Sequence, residues 1–202
     1  MNYLLPLIVG FIAAFVGLIA PSMLNMTAAR TSIEKGKKAG IQFAAGAASV
    51  VFIQAFIAVY FADKITDEII ANLGKAAIVV LLALSGFFLW QAKKEFKAEG
   101  KQKKGSHFIV GLGMSSLNML AVPFYLTMAK LGQTKWNMSL EIPYSLVYVL
   151  GAVLGAFSLF AIYATYAEKI AEKAQFIAKN INYILSGLFI VLAIVTAVKV
   201  FG

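Results

Sequence analysis

The sequence predicts an all-α integral membrane protein with six transmembrane helices, arranged as a 3+3 inverted repeat. Three observations lead to this fold class. The first is composition, because 61% of the 202 residues are hydrophobic and only 13% are charged, well beyond what a soluble core requires. The second is a series of six long apolar stretches, and the third is a similarity between the two halves of the chain.

The six stretches are each long enough to cross about 30 Å of hydrocarbon as a helix. They are residues 4–29, 41–62, 69–92, 108–129, 142–167 and 181–201. The first follows no basic segment and ends in charge instead of a cleavage site, so we expect it to remain in the mature protein. No span has a central carboxylate or arginine, and Lys75, near the start of the third, can extend its side chain towards the headgroups.

The basic residues indicate the orientation of the spans. Four of the 18 lysines and arginines follow the first span, six follow the third and three follow the fifth. The positive-inside rule therefore puts these loops in the cytoplasm and both termini in the periplasm. One of them, a basic loop at 93–107, joins the predicted halves, about 1–97 and 105–202, of a single transmembrane domain covering 1–202.

An internal repeat is the third observation. Three pairs of segments match in chain order: 45–65 with 150–170, Leu-Ser-Gly at 84–86 with 185–187, and Leu-Asn-Met at 24–26 with 117–119. In the longest pair Gly46 aligns with Gly151. Since each half has three spans, the second half enters the membrane from the opposite side and the repeat is inverted. This architecture is typical of carriers, which expose one site alternately to the two sides.

The binding site of an inverted-repeat carrier is expected where corresponding helices are interrupted near mid-depth. The first and fourth spans each carry a glycine, polar residues and a proline there. Proline frees the carbonyl four residues earlier, here that of Gly17 for one span and of Met119 for the other. The predicted substrate-binding residues are Pro21, Ser22, Asn25, Ser115, Ser116, Asn118, Pro123 and Tyr125.

Asn25 and Asn118 are the leading candidates, because an amide offers two donors and an acceptor, which suit the carboxylate and ammonium groups of a zwitterion. A plain packing kink or an interhelical hydrogen bond is the alternative interpretation. Gln54, Ser49 and Tyr163 are weaker candidates, since a lone polar residue on such a helix is more often a packing residue.

Enzymatic chemistry is not expected. The chain has no cysteine and one histidine, His107, which stands beside a lysine run. No metal-ligand cluster and no Ser-His-Asp set lies at membrane depth. We therefore predict no catalytic residue, no metal site and no cofactor.

The segment 21–46, PSMLNMTAARTSIEKGKKAGIQFAAG, resembles the lysine exporter (LysE-type) family of bacterial amino acid translocators. That family carries Pro-Gly-Pro, then Gly-basic-basic-Ala-Gly and a glycine six residues on; here 21–23, 36–40 and Gly46 take those places. Its Asn-Pro-Lys in the fourth helix corresponds to 118–120. An aspartate that the family often has in the second helix corresponds to Val51.

The resemblance implies a secondary transporter that exports amino acids or similar small solutes across the bacterial inner (plasma) membrane by alternating access. The expected partners are an amino-acid-like small molecule and the lipid bilayer. Nucleic acid is not expected, because the formal charge of +9 lies in short loops where anionic lipid explains it better. Proton coupling and a homo-oligomer are left open, and a non-transporting membrane subunit or scaffold is the alternative function.

Overall fold

The computed structural model of the protein describes most of the chain. The described residues are 3–19, 22–62, 64, 78–79, 82–83, 85–86, 89–90, 106–118 and 120–201. Within them the chain is helical and has no β-strand, so the predicted all-α class is confirmed for this part of the chain. The main helices are α1 (Leu4–Gly17), α2 (Met23–Lys35), α3 (Lys37–Ala62), α4 (His107–Ser116), α5 (Ala121–Trp136), α6 (Tyr144–Thr165) and α7 (Ala167–Phe201).

Two of the described helices, α3 and α6, are long and apolar enough to cross a membrane unaided, with mean hydropathies of 1.9 and 2.2. They correspond to the predicted second and fifth spans. Helices α4 and α5 pass the same test as a pair, bent by 71° at a short break, and they correspond to the predicted fourth span. The described part of the chain therefore offers two such helices, or three if the bent pair is one span.

The remaining predicted spans differ from single straight helices. The first, 4–29, is split into the apolar α1 and the more polar α2. The sixth, 181–201, lies within the 35-residue α7. The third, 69–92, falls mostly outside the described residues.

On α3 the small residues are buried and the large apolar residues are exposed, which is the reverse of the pattern in a soluble protein. The buried residues of this helix are mainly small, including four alanines at 44, 47, 55 and 58, whereas its exposed residues are large and apolar: Phe52, Ile53, Phe56, Ile57, Tyr60 and Phe61. Soluble proteins rarely expose contiguous apolar faces of this kind. Helices that pack through small residues and face lipid have this arrangement, so α3 is compatible with insertion into a membrane.

The chain divides into two compact units, one of residues 1–64 and 101–172 and the other of residues 65–100 and 173–202. Each unit therefore combines segments from both predicted halves.

In the first unit, α1 packs along α6. Gly151 lies against the carbonyl of Leu7, and Gly155 lies against the carbonyl of Phe11. The residue numbers rise together, so the two helices are parallel. Gly10 packs in the same way against the backbone of α6, and a Cβ atom at any of these three glycines would overlap the other helix. Backbone contact of this kind requires glycine.

Helices α3 and α4 form a second parallel pair in the same unit. Gly46 lies against the carbonyl of Phe108, and further along Gln54 hydrogen-bonds the carbonyl of Ser115. Gly111 of α4 packs against the backbone of α3. The two helix pairs thus use the same kind of contact, with a glycine of each helix against the backbone of the other.

In the second unit, two serines of the Leu-Ser-Gly triplets meet. Ser85 and Ser186 are both buried. The Ser85 hydroxyl donates to the carbonyl of Ser186 at 3.1 Å, and the two hydroxyl oxygens are 3.2 Å apart. Residues that the sequence repeat makes equivalent are therefore in direct contact.

Candidate functional site

The first helix break, residues 18–22, separates α1 from α2. The carbonyl of Leu18 accepts a hydrogen bond from Asn25 Nδ2 at 2.6 Å, and that of Ile19 accepts one from the Tyr163 hydroxyl at 2.8 Å. Asn25 is completely buried, and Tyr163 is 7% exposed. Carbonyls that a continuous helix would have used are satisfied by two buried side chains.

The start of α2 explains how Asn25 reaches this break. Ser22 has extended backbone angles and its side chain accepts a hydrogen bond from the Asn25 backbone N–H at 3.3 Å, which is a helix N-cap. The cap begins α2 at Met23 and places Asn25 in its first turn, directed at Leu18. Ser22 itself is exposed, and the predicted Pro21 lies outside the described residues.

The second helix break, residues 117–120, separates α4 from α5. Gln54 of α3 donates its amide Nε2 to the carbonyl of Ser115 at 3.1 Å and to that of Asn118 at 3.4 Å. Gln54 is 8% exposed, and its Oε1 is buried with no hydrogen-bond partner among the described residues. An amide oxygen without a donor is costly in such surroundings, so this atom is an acceptor available to a ligand.

Aromatic side chains connect the two breaks. The ring of Phe124, in the first turn of α5, lies directly against Gly17, the last residue of α1. Phe124 also makes an edge-to-face contact with Tyr125, with ring centroids 5.4 Å apart. Tyr125 is 1% exposed, and its carbonyl accepts a hydrogen bond from the Tyr148 hydroxyl at 3.0 Å. The end of α1 and the start of α5 are therefore neighbours, so the two breaks lie close together.

The predicted site residues fall into two groups. Asn25, Ser115 and Tyr125 are buried beside the breaks, and Asn118 is half-buried within the second break. The other described members of the predicted site are exposed: Ser22, Ser116 and Pro123.

Ser116 and Pro123 have local roles in their own helices. The Ser116 hydroxyl donates to the carbonyl of Leu112, one turn earlier in α4, at 2.9 Å. Pro123 is the third residue of α5, in the first turn, where proline removes no helical hydrogen bond. The proline therefore follows the break, in the first turn of α5, instead of interrupting a continuing helix. Met119, the other residue of that prediction, lies outside the described residues.

Two weaker candidates, Gln54 and Tyr163, provide the side chains that reach the breaks from neighbouring helices. Each lies eight residues after a glycine that packs on the partner helix, Gly46 in α3 and Gly155 in α6. This glycine-to-polar spacing is a signal in the sequence that could have identified them. Ser49, the third weaker candidate, is exposed and donates to a carbonyl of its own helix.

Two cavities lie outside the breaks. A cavity of about 320 Å³ lies at the junction of α2, α3, α6 and α7, and another of about 200 Å³ lies beside the end of α3. Both are away from Asn25 and Gln54. Among the residues that the structure describes, no group of three or more His, Asp or Glu could hold a metal ion.

Comparison with known proteins adds no assignment. No protein-family model, curated protein or solved structure matches the chain. The resemblance to the lysine exporters therefore depends on the sequence motifs alone and stays a prediction.

Proposed function

We propose that the protein is a secondary transporter that exports amino acids or similar small solutes across the bacterial inner membrane by alternating access. Its binding site lies between the two helix breaks. One observation carries the proposal: each break in one predicted half is bound by a buried polar side chain from the other half. Tyr163 binds the first break and Gln54 binds the second.

Glycine contacts support the inverted repeat within this proposal. Gly46 and Gly151, which are 105 positions apart in the sequence, each pack against the first helix of the opposite half. The glycines of α1 and α4 pack in return against Tyr148 and Phe43, which are also 105 positions apart. This is the offset at which 45–65 matches 150–170. A duplication that exchanged partners between its halves would produce both sets of contacts.

The directions of the helices support six spans. Two neighbouring spans are parallel only when an odd number of crossings separates them along the chain. Helices α3 and α4 are parallel, and the predicted third span, 69–92, accounts for the return between them. Helices α1 and α6 are parallel with three predicted spans between them. With the positive-inside rule, this topology has both termini in the periplasm.

The chemistry of the breaks suits a zwitterion. Gln54 Oε1 is an acceptor for an ammonium group, and Asn25 offers an amide beside the first break. The starts of α2 and α5 carry backbone N–H groups and a partial positive charge, which favour a carboxylate. No charged side chain is among the predicted site residues, so a substrate without net charge is favoured.

The hydrogen bonds at the breaks support alternating access. The hydrogen bonds of Tyr163 and Gln54 hold the breaks in this conformation. A substrate whose polar groups replace these partners would allow α1 and α4 to move against α6 and α3. The site would then open to one side at a time.

Counterflow in proteoliposomes tests this proposal. Purified protein would be reconstituted with a panel of unlabelled amino acids inside and the labelled compound outside. We expect exchange of at least one amino acid, and a loss of about tenfold with Asn25→Ala, because one buried hydrogen bond is worth about 1–1.5 kcal/mol. Ser116→Ala is the matched control, since its hydroxyl is exposed and bonds its own helix. Absence of exchange across the whole panel would contradict the proposal.

A second candidate function is a non-transporting membrane subunit. One observation favours it: four carbonyls at the breaks already have side-chain partners, as expected if the breaks only shape the helix packing. In that case Asn25→Ala would lower stability, no amino acid would exchange, and the protein would co-purify with another membrane protein in constant proportion.

A further inference from the structure

We propose a binding site for a phosphate group in the cavity at the junction of α2, α3, α6 and α7, a site that is independent of the transport function. The cavity has a volume of about 320 Å³. It is lined by Ser32 and Ile33 of α2, Lys37 of α3 and the segment 164–169 at the junction of α6 and α7. All of these residues belong to the first unit.

Two helices begin at the wall of this cavity. Helix α3 begins at Lys37 and α7 begins at Ala167, and both residues line the cavity. The first N–H groups of a helix have no acceptor within it. In α7 the N–H of Ile170 bonds the carbonyl of Tyr166. At the start of α3 the N–H of Ala39 already bonds the carbonyl of Gly36. Both helix ends carry partial positive charge towards one space, an arrangement that favours an anion.

An unpaired hydroxyl group on a buried residue gives independent evidence of a ligand. Ser32 is 8% exposed and lines the cavity. No hydrogen bond joins its hydroxyl to any other residue in the described part of the chain. Thr165 adds a second hydroxyl to the same wall, and the ammonium groups of Lys37 and Lys169 add two positive charges. Backbone N–H groups, hydroxyls and lysines together are the donors that bind phosphate oxygens.

The Gly-Lys-Lys-Ala-Gly segment, 36–40, contributes Lys37 to the lining of the cavity. Gly36 has a φ angle of +88°, a conformation that glycine adopts readily, and it turns the chain directly from α2 into α3. A Cβ atom on Gly40 would lie 2.8 Å from Ser32 Cβ and 2.9 Å from Ala164 Cβ. Glycine at 40 therefore lets α2, α3 and α6 approach closely beside the cavity.

The charges at the cavity identify the class of ligand. Glu168 also lines it, in the first turn of α7, where its carboxylate competes with an anion for the helix end. The two lysines and this carboxylate leave one net positive charge, which matches a singly charged phosphate group. In the proposed topology the cavity faces the cytoplasm, where an anionic phospholipid headgroup and a free phosphate are both present.

Binding to the full-length protein in a neutral detergent tests the site. Native mass spectrometry would compare phosphatidylglycerol with phosphatidylcholine, and the thermal unfolding temperature would be compared in sodium phosphate and in sodium chloride of equal ionic strength. We expect selective binding of phosphatidylglycerol, a rise of the unfolding temperature in phosphate, or both. The first result identifies a lipid and the second a soluble ligand. Preference for neither source would overturn the proposal.

Single-charge variants locate the binding. Lys37→Gln should weaken it about fivefold, as expected for loss of one partly exposed charge. Lys38→Gln makes the same change in net charge at an exposed neighbour outside the cavity and should have no effect. Glu168→Gln should tighten binding, a gain that misfolding cannot produce. Equal affinities for the Lys37 and Lys38 variants, or no gain with the Glu168 variant, would also overturn the proposal.

Discussion

Two glycines of α4 differ in their surroundings and allow a direct test of the packing between α3 and α4. A Cβ atom on Gly111 would lie 2.2 Å from the carbonyl oxygen of Phe43, whereas no described atom lies within 4 Å of a Cβ atom on Gly113. Ordinary contact begins at 3.4 Å. Gly111→Ala therefore requires α3 and α4 to separate by about 1.2 Å locally, an overpacking that costs about 1–3 kcal/mol.

The comparison of Gly111→Ala with Gly113→Ala isolates this contact. Both variants gain the same helix propensity, about 1 kcal/mol in water, so that gain cancels in their difference. We expect the free energy of unfolding of Gly111→Ala to be lower than that of Gly113→Ala by about 1–3 kcal/mol. Unfolding by SDS in mixed micelles, followed by circular dichroism, measures it. Equal stabilities would refute the close approach of these helices.

The same unfolding assay tests three further contacts, and labelling tests the topology. Tyr163→Phe should lower the free energy of unfolding by about 1–2 kcal/mol, because a carbonyl of the first break loses its donor; Tyr166→Phe, at an exposed neighbour, should have no effect. Gln54→Leu should cost about the same as Tyr163→Phe, since it leaves carbonyls of the second break without their donor. Gly10→Ala should cost about 1–3 kcal/mol, as expected for overpacking at the equivalent contact between α1 and α6. Because the chain has no cysteine, Ser139→Cys gives a single thiol, which should react with an impermeant reagent from the periplasmic side; reaction only from the cytoplasmic side would reverse the proposed orientation.

The parts of the fold that the sequence could predict are those governed by local composition. Segments 41–62 and 142–167 are continuously apolar, and they correspond closely to α3 and α6. The break between α4 and α5 can also be predicted, because glycine and proline stand near the centre of segment 108–129. Hydropathy and helix-breaking residues are local properties, so they can be recognised in a single sequence.

The geometry of the candidate site depends on contacts between distant residues and could not be predicted in the same way. Gln54 is 61 positions from Ser115, and Tyr163 is 144 positions from Ile19. Considered alone, each is a lone polar residue on an apolar helix. Only the parallel packing at glycines fixes which residues lie opposite one another. The role of Pro123 could not be predicted either. Its place in the first turn of α5 depends on where the helix breaks.

Export from living cells tests the central claim most directly. Cells that overproduce the protein would be compared with cells that produce equal amounts of Asn25→Ala, and amino acids in the medium would be measured by mass spectrometry. We predict that at least one amino acid accumulates outside faster with the unaltered protein than with the variant. If the two strains release every amino acid at the same rate, the breaks are not a transport site and the account is contradicted.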